Sequence, residues 1–218
     1  ILLLSKILIK LLNITGKGAT SLPGKLAMKL KPGILFHLSR GVYCICVTGT
    51  NGKTTTCAMI EHGLKSNSIP CFINKSGANM LGGVTTAFIK NSNIFGKPKC
   101  RYAVLECDEN SLPLITNCIN SKIIVVTNIF RDQLDRYAEV NLTFEKIKQG
   151  ILNSPNATVV LNADCPLTYS LKFDCKNEVK TFGVNGNGKN KVASDSPFCP
   201  CCGAKLKYKS IMYAQLGD

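Results

Sequence analysis

Between Val47 and Thr56 the chain reads VTGTNGKTTT, a set of residues suited to holding phosphate. Gly49 and Gly52 allow a tight turn whose backbone N–H groups face an anion. Lys53 adds a positive charge, and the Thr54 hydroxyl is a ligand type for Mg2+. A helix starting there would add its positive end. The common phosphate loop, G-x-x-x-x-G-K-[ST], would put its first glycine where this chain has Val47; here the glycine is Gly49. The competing reading is a glycine turn before an ordinary helix.

Two other clusters could do chemistry. LECDEN offers Glu106, Asp108 and Glu109, and a nucleotide-bound Mg2+ takes one or two carboxylates. Glu106 is the first candidate; the alternative is solvated acids at a helix start. FCPCCG places Cys199 and Cys202 at C-x-x-C-G spacing, the knuckle of a zinc ribbon, with Cys201 expected to point off it. A structural zinc takes four ligands, and one knuckle supplies two. The alternatives are a cysteine-rich turn without metal and a redox pair, against which counts that no helix clearly follows the knuckle.

These clusters need elements to position them. VYCICVT, IPCFINK, RYAVLEC, KIIVVTN, ATVVLN and EVKTFGV read as strands. TTTCAMIEHGLKS, VTTAFIK, residues 140–151 and PLTYSLK read as helices between them, and GANMLGG as a loop. The alternation predicts an α/β fold, a mostly parallel phosphate-loop-type sheet covered by helices. In such sheets ligands bind beyond the carboxyl ends of strands, which is where TGTNGKT, ECDEN, TNIFRDQLDRY and NADCP fall. The polar stretch 184–196 reads as a linker. The expected division is a helical or extended segment over 1–40, a nucleotide-binding domain over 41–196 and a partial zinc-ribbon module over 197–218.

With 45% hydrophobic and 18% charged residues the chain is globular rather than disordered. Its net charge of +14 suits nucleic acid, anionic lipid or phosphorylated ligands, or reflects a Lys- and Asn-rich composition. Most of the twelve cysteines sit singly in apolar runs, which predicts buried small hydrophobes in a reducing, intracellular compartment. ILLLSKILIKLLNI is too short and too interrupted to span a membrane, and no signal cleavage site follows. Lys6, Lys10 and Asn13 share one helical face, which predicts a helix packed on the body or lying on a membrane surface.

VTGTNGKTTT, TNIFRDQLDRY and LNADCP, in this order, resemble the central ATPase domain of the Mur ligases, whose loop is a short G-T-N-G-K-[TS]. SLPGKLAMKLKPG, NKSGANM, FRDQLDRYAEV and DSPFCPCCG are similar to one branch, the ligase subunits of the lipid II isoglutaminyl synthases. The resemblance implies an ATP-dependent carbon–nitrogen ligase of cell-wall peptidoglycan synthesis. ATP would phosphorylate the α-carboxylate of D-glutamate in the lipid II stem peptide. Ammonia from a glutaminase partner subunit would then give D-isoglutamine. Gly49, Thr50, Asn51, Gly52, Lys53, Thr54 and Thr55 would bind phosphate, with Lys53 and Glu106 catalytic. Thr54 and Glu106 would hold Mg2+, and Asn162 and Asp164 would approach the nucleoside. Cys199 and Cys202 would hold Zn2+, with a second C-x-x-C pair following. The expected setting is the cytoplasm, at the inner face of the membrane, with no nucleic-acid partner.

Two positions depart from the family pattern. Gln133 stands where many Mur ligases have histidine, so a second Mg2+ is not carried over; glutamine fits the narrower branch. Cys165 replaces a second acid in NADCP, and that role is not carried over either. The chain opens on Ile1 and stops at Asp218, so it is expected to be a piece lacking the C-terminal ligase domain. Another Mur- or folylpolyglutamate-type ligase, a zinc-ribbon nucleic-acid binder and a regulatory nucleotide switch are the competing classes.

Overall fold

A computed structural model describes residues 1–14, 20–74, 77–129, 137–184, 198–207, 211–213 and 216–217. Gln133 with most of FRDQLDRY, and nearly all of the linker, lie outside the described residues. Three helices lead in: α1 (Leu2–Ile14), α2 (Leu22–Leu30) and α3 (Ile34–Leu38). Then strands and helices alternate: β1 (Tyr43–Thr48), α4 (Lys53–Ser66), β2 (Cys71–Ile73), α5 (Leu81–Asn91), β3 (Tyr102–Glu106), α6 (Leu112–Thr116) and β4 (Ser121–Val126). They continue through α7 (Tyr137–Leu152), β5 (Thr158–Asn162), α8 (Pro166–Ser170) and β6 (Val179–Phe182). The two short strands β7 (Ile211–Tyr213) and β8 (Leu216–Gly217) pair antiparallel.

The main sheet has the order β2-β3-β1-β4-β5-β6, and every described pairing in it is parallel. β1 is central, with Val47 beside Glu106 on one side and Val125 on the other. A parallel strand covered on both faces reads as a continuous apolar run, and in β1 every residue from Cys44 to Thr48 is buried. One face carries the larger core, in which Ile9, Ala27 and Leu35 of the leading helices join Phe88, Leu112 and Ile147. Residues of α1, α2 and α3 thus share the core of the sheet. The other face packs Ile45, Val47, Val104 and Val125 against Cys57, Ile60 and Leu64 of α4.

Five of the six sheet strands fall within the runs expected from the sequence, and β4 begins one residue before its run, at Ser121. α5 starts at Leu81, inside the stretch GANMLGG that was read as loop. Gly82 and Gly83 belong to this helix because it is approached closely: the Ala78 backbone leaves no room for a Cβ on Gly83, and α2 crosses at Gly82, with the Gly24 N–H donating to Thr86 Oγ1 at 2.9 Å. A Cβ on Gly24 would collide with the Gly82 carbonyl and lie 2.8 Å from Thr86 N. Lys6, Lys10 and Asn13 do lie along one side of α1, but Lys6 turns inward. Its ammonium donates to the carbonyls of Ile89 (2.7 Å) and Ser92 (2.6 Å) at the C-terminal end of α5. Burial and neighbouring Lys99 hold its pKa below the usual lysine value.

The twelve cysteines are all free, and Cys44, Cys46, Cys57 and Cys107 are fully buried, as their apolar surroundings predict. No helix among the described residues is long and apolar enough to cross a membrane.

Candidate functional site

The phosphate-type loop lies where β1 ends and α4 begins. Gly49 (φ 120°) and Gly52 (φ 81°) both take left-handed backbone. Gly52 also caps α4, its carbonyl accepting from Thr56 N–H at 2.9 Å. At Gly49 a side chain has no room, since a Cβ would collide with the Thr127 hydroxyl and sit 2.7 Å from Asn128 O.

That crowding comes from a brace at the end of β4. Thr50 N–H donates to Asn128 O (2.9 Å), and Asn51 N–H donates to Asn128 Oδ1 (2.9 Å). Asn128 Nδ2 donates back to Asn51 O at 3.1 Å. The Thr127 hydroxyl lies between the carbonyls of Asn51 (2.7 Å) and Thr48 (3.1 Å). Asn162 adds a further layer: its Nδ2 donates to Thr127 O at 2.9 Å, and its Oδ1 accepts from Asp164 N–H at 3.0 Å. Sequence reading marked TNIFRDQLDRY as a polar cluster but gave Thr127 and Asn128 no role. The signal was their place at a strand end beside the loop, which needs the strand order to be recognised.

The reactive side chains meet in front of this loop. Thr54 Oγ1 donates to Glu106 Oε2 at 2.8 Å, across from the end of β3. Glu106 is buried, and Asn74 clamps its backbone, accepting from Glu106 N–H and donating to Glu106 O, both at 2.8 Å. Asn74 opens the motif NKSGANM, but like Thr127 and Asn128 it has no role in the sequence reading. The Lys53 ammonium folds over the loop, 2.5 Å from Gly49 O and 3.0 Å from Thr50 O, and pairs with Glu109 Oε1 at 2.8 Å. The two side chains are each only 15% exposed, so the pair is well screened from water. Asp108 Oδ2 instead accepts from Ser111 N–H at 3.2 Å at the start of α6, the helix-start alternative weighed for these acids. Thr55 is exposed in the first turn of α4.

The structure brings Lys53, Thr54 and Glu106 together at one loop. Asn162 and Asp164 are placed at the end of β5, two strands from β1. Asn162 is buried and turned toward the brace, and Asp164 Oδ2 accepts from Val184 N–H at 2.7 Å. Cys165 is buried packing, its sulfur accepting from Thr168 Oγ1 at 3.2 Å.

The cysteine knuckle is a separate turn. Cys199 N–H donates to Ala204 O (2.8 Å), Gly203 N–H donates to Cys199 O (2.9 Å), and Gly203 has φ 70°. The backbone N–H groups of Cys202 and Cys201 point at the Cys199 sulfur and hold its thiol below the usual value. Cys201 is exposed, and its thiol is raised above the usual value by desolvation of its charged form and by Cys199. Among the described residues no three His, Cys, Asp or Glu side chains gather as a metal-holding group.

Against known proteins, the Mur ligase middle domain model matches residues 47–198. The chain is 38% identical, over 98% of its length, to the lipid II isoglutaminyl synthase (glutamine-hydrolyzing) subunit MurT of Staphylococcus aureus strain COL, covering 48% of that relative. With the same-named subunit of Streptococcus pneumoniae R6 the identity is 41%, over 93% of this chain and 45% of the relative. The chain thus spans about half the length of the curated relatives it matches. Among solved structures, MurF from Acinetobacter baumannii superposes with a TM-score of 0.60 at 19% identity, over 71% of this chain and 34% of that one. MurF ligase from Thermotoga maritima in complex with ADP gives 0.59 at 21%, over 75% and 37%. These two likenesses speak to the fold alone.

Proposed function

The chain belongs to the Mur ligase family, and on that premise we propose that it is the ATP-binding part of the ligase subunit of a lipid II isoglutaminyl synthase. The observation that carries this reading is the 38–41% identity with MurT subunits across nearly the whole chain. In the proposed reaction the D-glutamate α-carboxylate of the lipid II stem peptide attacks the γ-phosphate of ATP. Ammonia released by a glutaminase subunit then displaces phosphate, leaving the amide. A carboxylate oxygen is a poor leaving group until it is phosphorylated, which is why the ligation consumes ATP.

Gly49 to Thr55 would cradle the phosphates with backbone N–H groups. Lys53 would exchange Glu109 and the two loop carbonyls for phosphate oxygens and stabilise the charge that moves in transfer. The Thr54 hydroxyl and Glu106 carboxylate, 2.8 Å apart, are an all-oxygen donor pair of the kind Mg2+ takes. Bound there, Mg2+ supplies neutralisation of phosphate charge. Asn162 would support the loop through Thr127 while holding the Asp164 N–H; Asp164 is the residue left to approach the nucleoside.

Cys199 and Cys202 would give two thiolates to a structural zinc, and the lowered Cys199 thiol suits a metal ligand. Two more ligands are required. Residues 1–40, 41–196 and 197–218 would be the lead-in, the nucleotide-binding unit and this module, working on the cytoplasmic side of the membrane.

The test uses the full-length protein with its glutaminase subunit, ATP, glutamine and a stem-peptide substrate whose α-carboxylate carries heavy oxygen. Amidated product, with heavy oxygen transferred to inorganic phosphate, is expected. Release of AMP and pyrophosphate, or ATP hydrolysis without amide, would refute the acyl-phosphate route.

A further inference from the structure

α1 is apolar on both sides. Its inner side packs Leu2, Ile9 and Leu12 against the core beside Ser5 and Lys6, yet Leu3, Leu4, Ile7, Leu11 and Ile14 face outward. Leu3 and Leu4 are 60% and 61% exposed. The patch continues beyond α1: the turn after α5 presents Ile94 and Phe95, the latter 82% exposed, around the same hollow as Ile1 and Leu3. On α2, Leu22, Leu26 and Leu30 repeat every four residues and are also exposed.

Residues 1–60 carry charges of one sign, since the first acidic residue in the chain is Glu61. Lys10, Lys25, Lys29 and Lys31 are exposed among the outward leucines, and Lys31 lines the hollow with Phe95. Leucines flanked by lysines, without acids, are the composition that enters the headgroup layer of an anionic bilayer. A second copy fits poorly, because a two-fold contact would set lysines against lysines.

We infer that the outward face of α1, with the Ile94–Phe95 turn and the lysines of α2, docks on the surface of an anionic lipid bilayer. The helix would lie in the plane. Its 13 residues reach about 20 Å, short of a hydrocarbon core of about 30 Å. Lys6 and Ile9 also fasten it lengthwise to the protein. The phosphate loop stays clear of the lipid: α5 ends near the patch and begins, about 16 Å away, beside the carboxyl end of β3. The inference deepens the proposed function, since it places a ligase for a lipid-linked substrate on the layer that holds the lipid.

The test is cosedimentation of the full-length protein with phosphatidylglycerol-containing vesicles and with pure phosphatidylcholine vesicles, both without lipid II or ATP. Binding to the anionic vesicles is expected. The combined variant Leu3→Gln, Ile7→Gln, Leu11→Gln should weaken it at least tenfold with an unchanged melting temperature. Lys10→Gln with Lys29→Gln should erase the preference for anionic lipid. The inference is overturned if the wild type stays in the supernatant, or if the triple variant binds like the wild type. It is equally overturned if that variant changes the oligomeric state or the melting temperature instead, because another protein surface then covers the face. Amidation of a water-soluble stem peptide should persist in the triple variant; its absence in the wild type would defeat the proposed reaction and leave vesicle binding standing.

Discussion

Lys53 is satisfied before any phosphate arrives, by Gly49 O, Thr50 O and Glu109. Its position after Gly52 was legible in the sequence, because only local spacing was needed. Its pairing with Glu109, and the clamp of Asn74 on Glu106, were not, since both join residues far apart in the chain. Lys53→Ala should lower ATP turnover of the complete ligase by roughly 10²–10³-fold, the scale of losing one preorganised charge donor. The far-UV circular dichroism should match wild type; turnover near wild type would mean Lys53 does not face the phosphate. A second residue-scale outcome concerns pH. Burial and the nearby Glu106 carboxylate push the Cys57 thiol from 9.0 up to about 12. Above pH 9.0 the unfolded chain loses this proton while the fold keeps it, so stability is full below that pH and falls as pH climbs toward 12. The unfolding free energy from urea titration should therefore drop between pH 9.0 and 10.5, by up to about 1.4 kcal/mol per pH unit from this group. Cys57→Ala should make that slope shallower; an unchanged slope would assign the drop to other groups.

At the scale of elements, the strands were readable because β-branched runs bounded by polar turns leave little choice. The five-residue α3 and α6 give too brief a run for a helical period to stand out, and α2 carries Pro23 and Gly24, poor helix formers, at its start. The start of α5 was misjudged for a different reason. Glycine lowers helix propensity, so LGG looked like loop, yet Gly82 and Gly83 are there for close contact rather than for freedom. Across from them Gly24 lets α2 press its backbone onto α5. Gly24→Ala gains about 1 kcal/mol of helix propensity but forces the two helices apart. We expect a net loss of about 2–3 kcal/mol in urea unfolding. A neutral or stabilising result would show that α2 can shift off α5 without loss. Thr127 and Asn128 belong to this scale too: a strand end acts as the brace of a loop almost eighty residues earlier only because β4 pairs with β1.

The whole molecule is a parallel sheet whose innermost strand carries the site. Strand order is a long-range property, so the sequence could suggest the α/β class but not that β1 lies between β3 and β4. Burial follows that order: β1 is enclosed, whereas Lys180 to Phe182 of the edge strand β6 are exposed. Native-state hydrogen exchange should accordingly be slowest at Ile45 and Val47 and fastest, among the sheet strands, in Val179–Phe182. Equal protection in β6 would mean that the sheet opens only as a unit. The same order sets a schedule for biosynthesis. β1 leaves the ribosome early, but its first neighbour, β3, cannot pair with it until Glu106 has emerged. Throughout that interval a strand of Cys, Ile and Val waits with both hydrogen-bonding edges open, behind two lead-in helices, α1 and α2, that expose leucine even in the finished fold. Nascent chains halted before Tyr102 should be the ones that chaperones hold and proteases cut, and chains extended past Val126 should escape both.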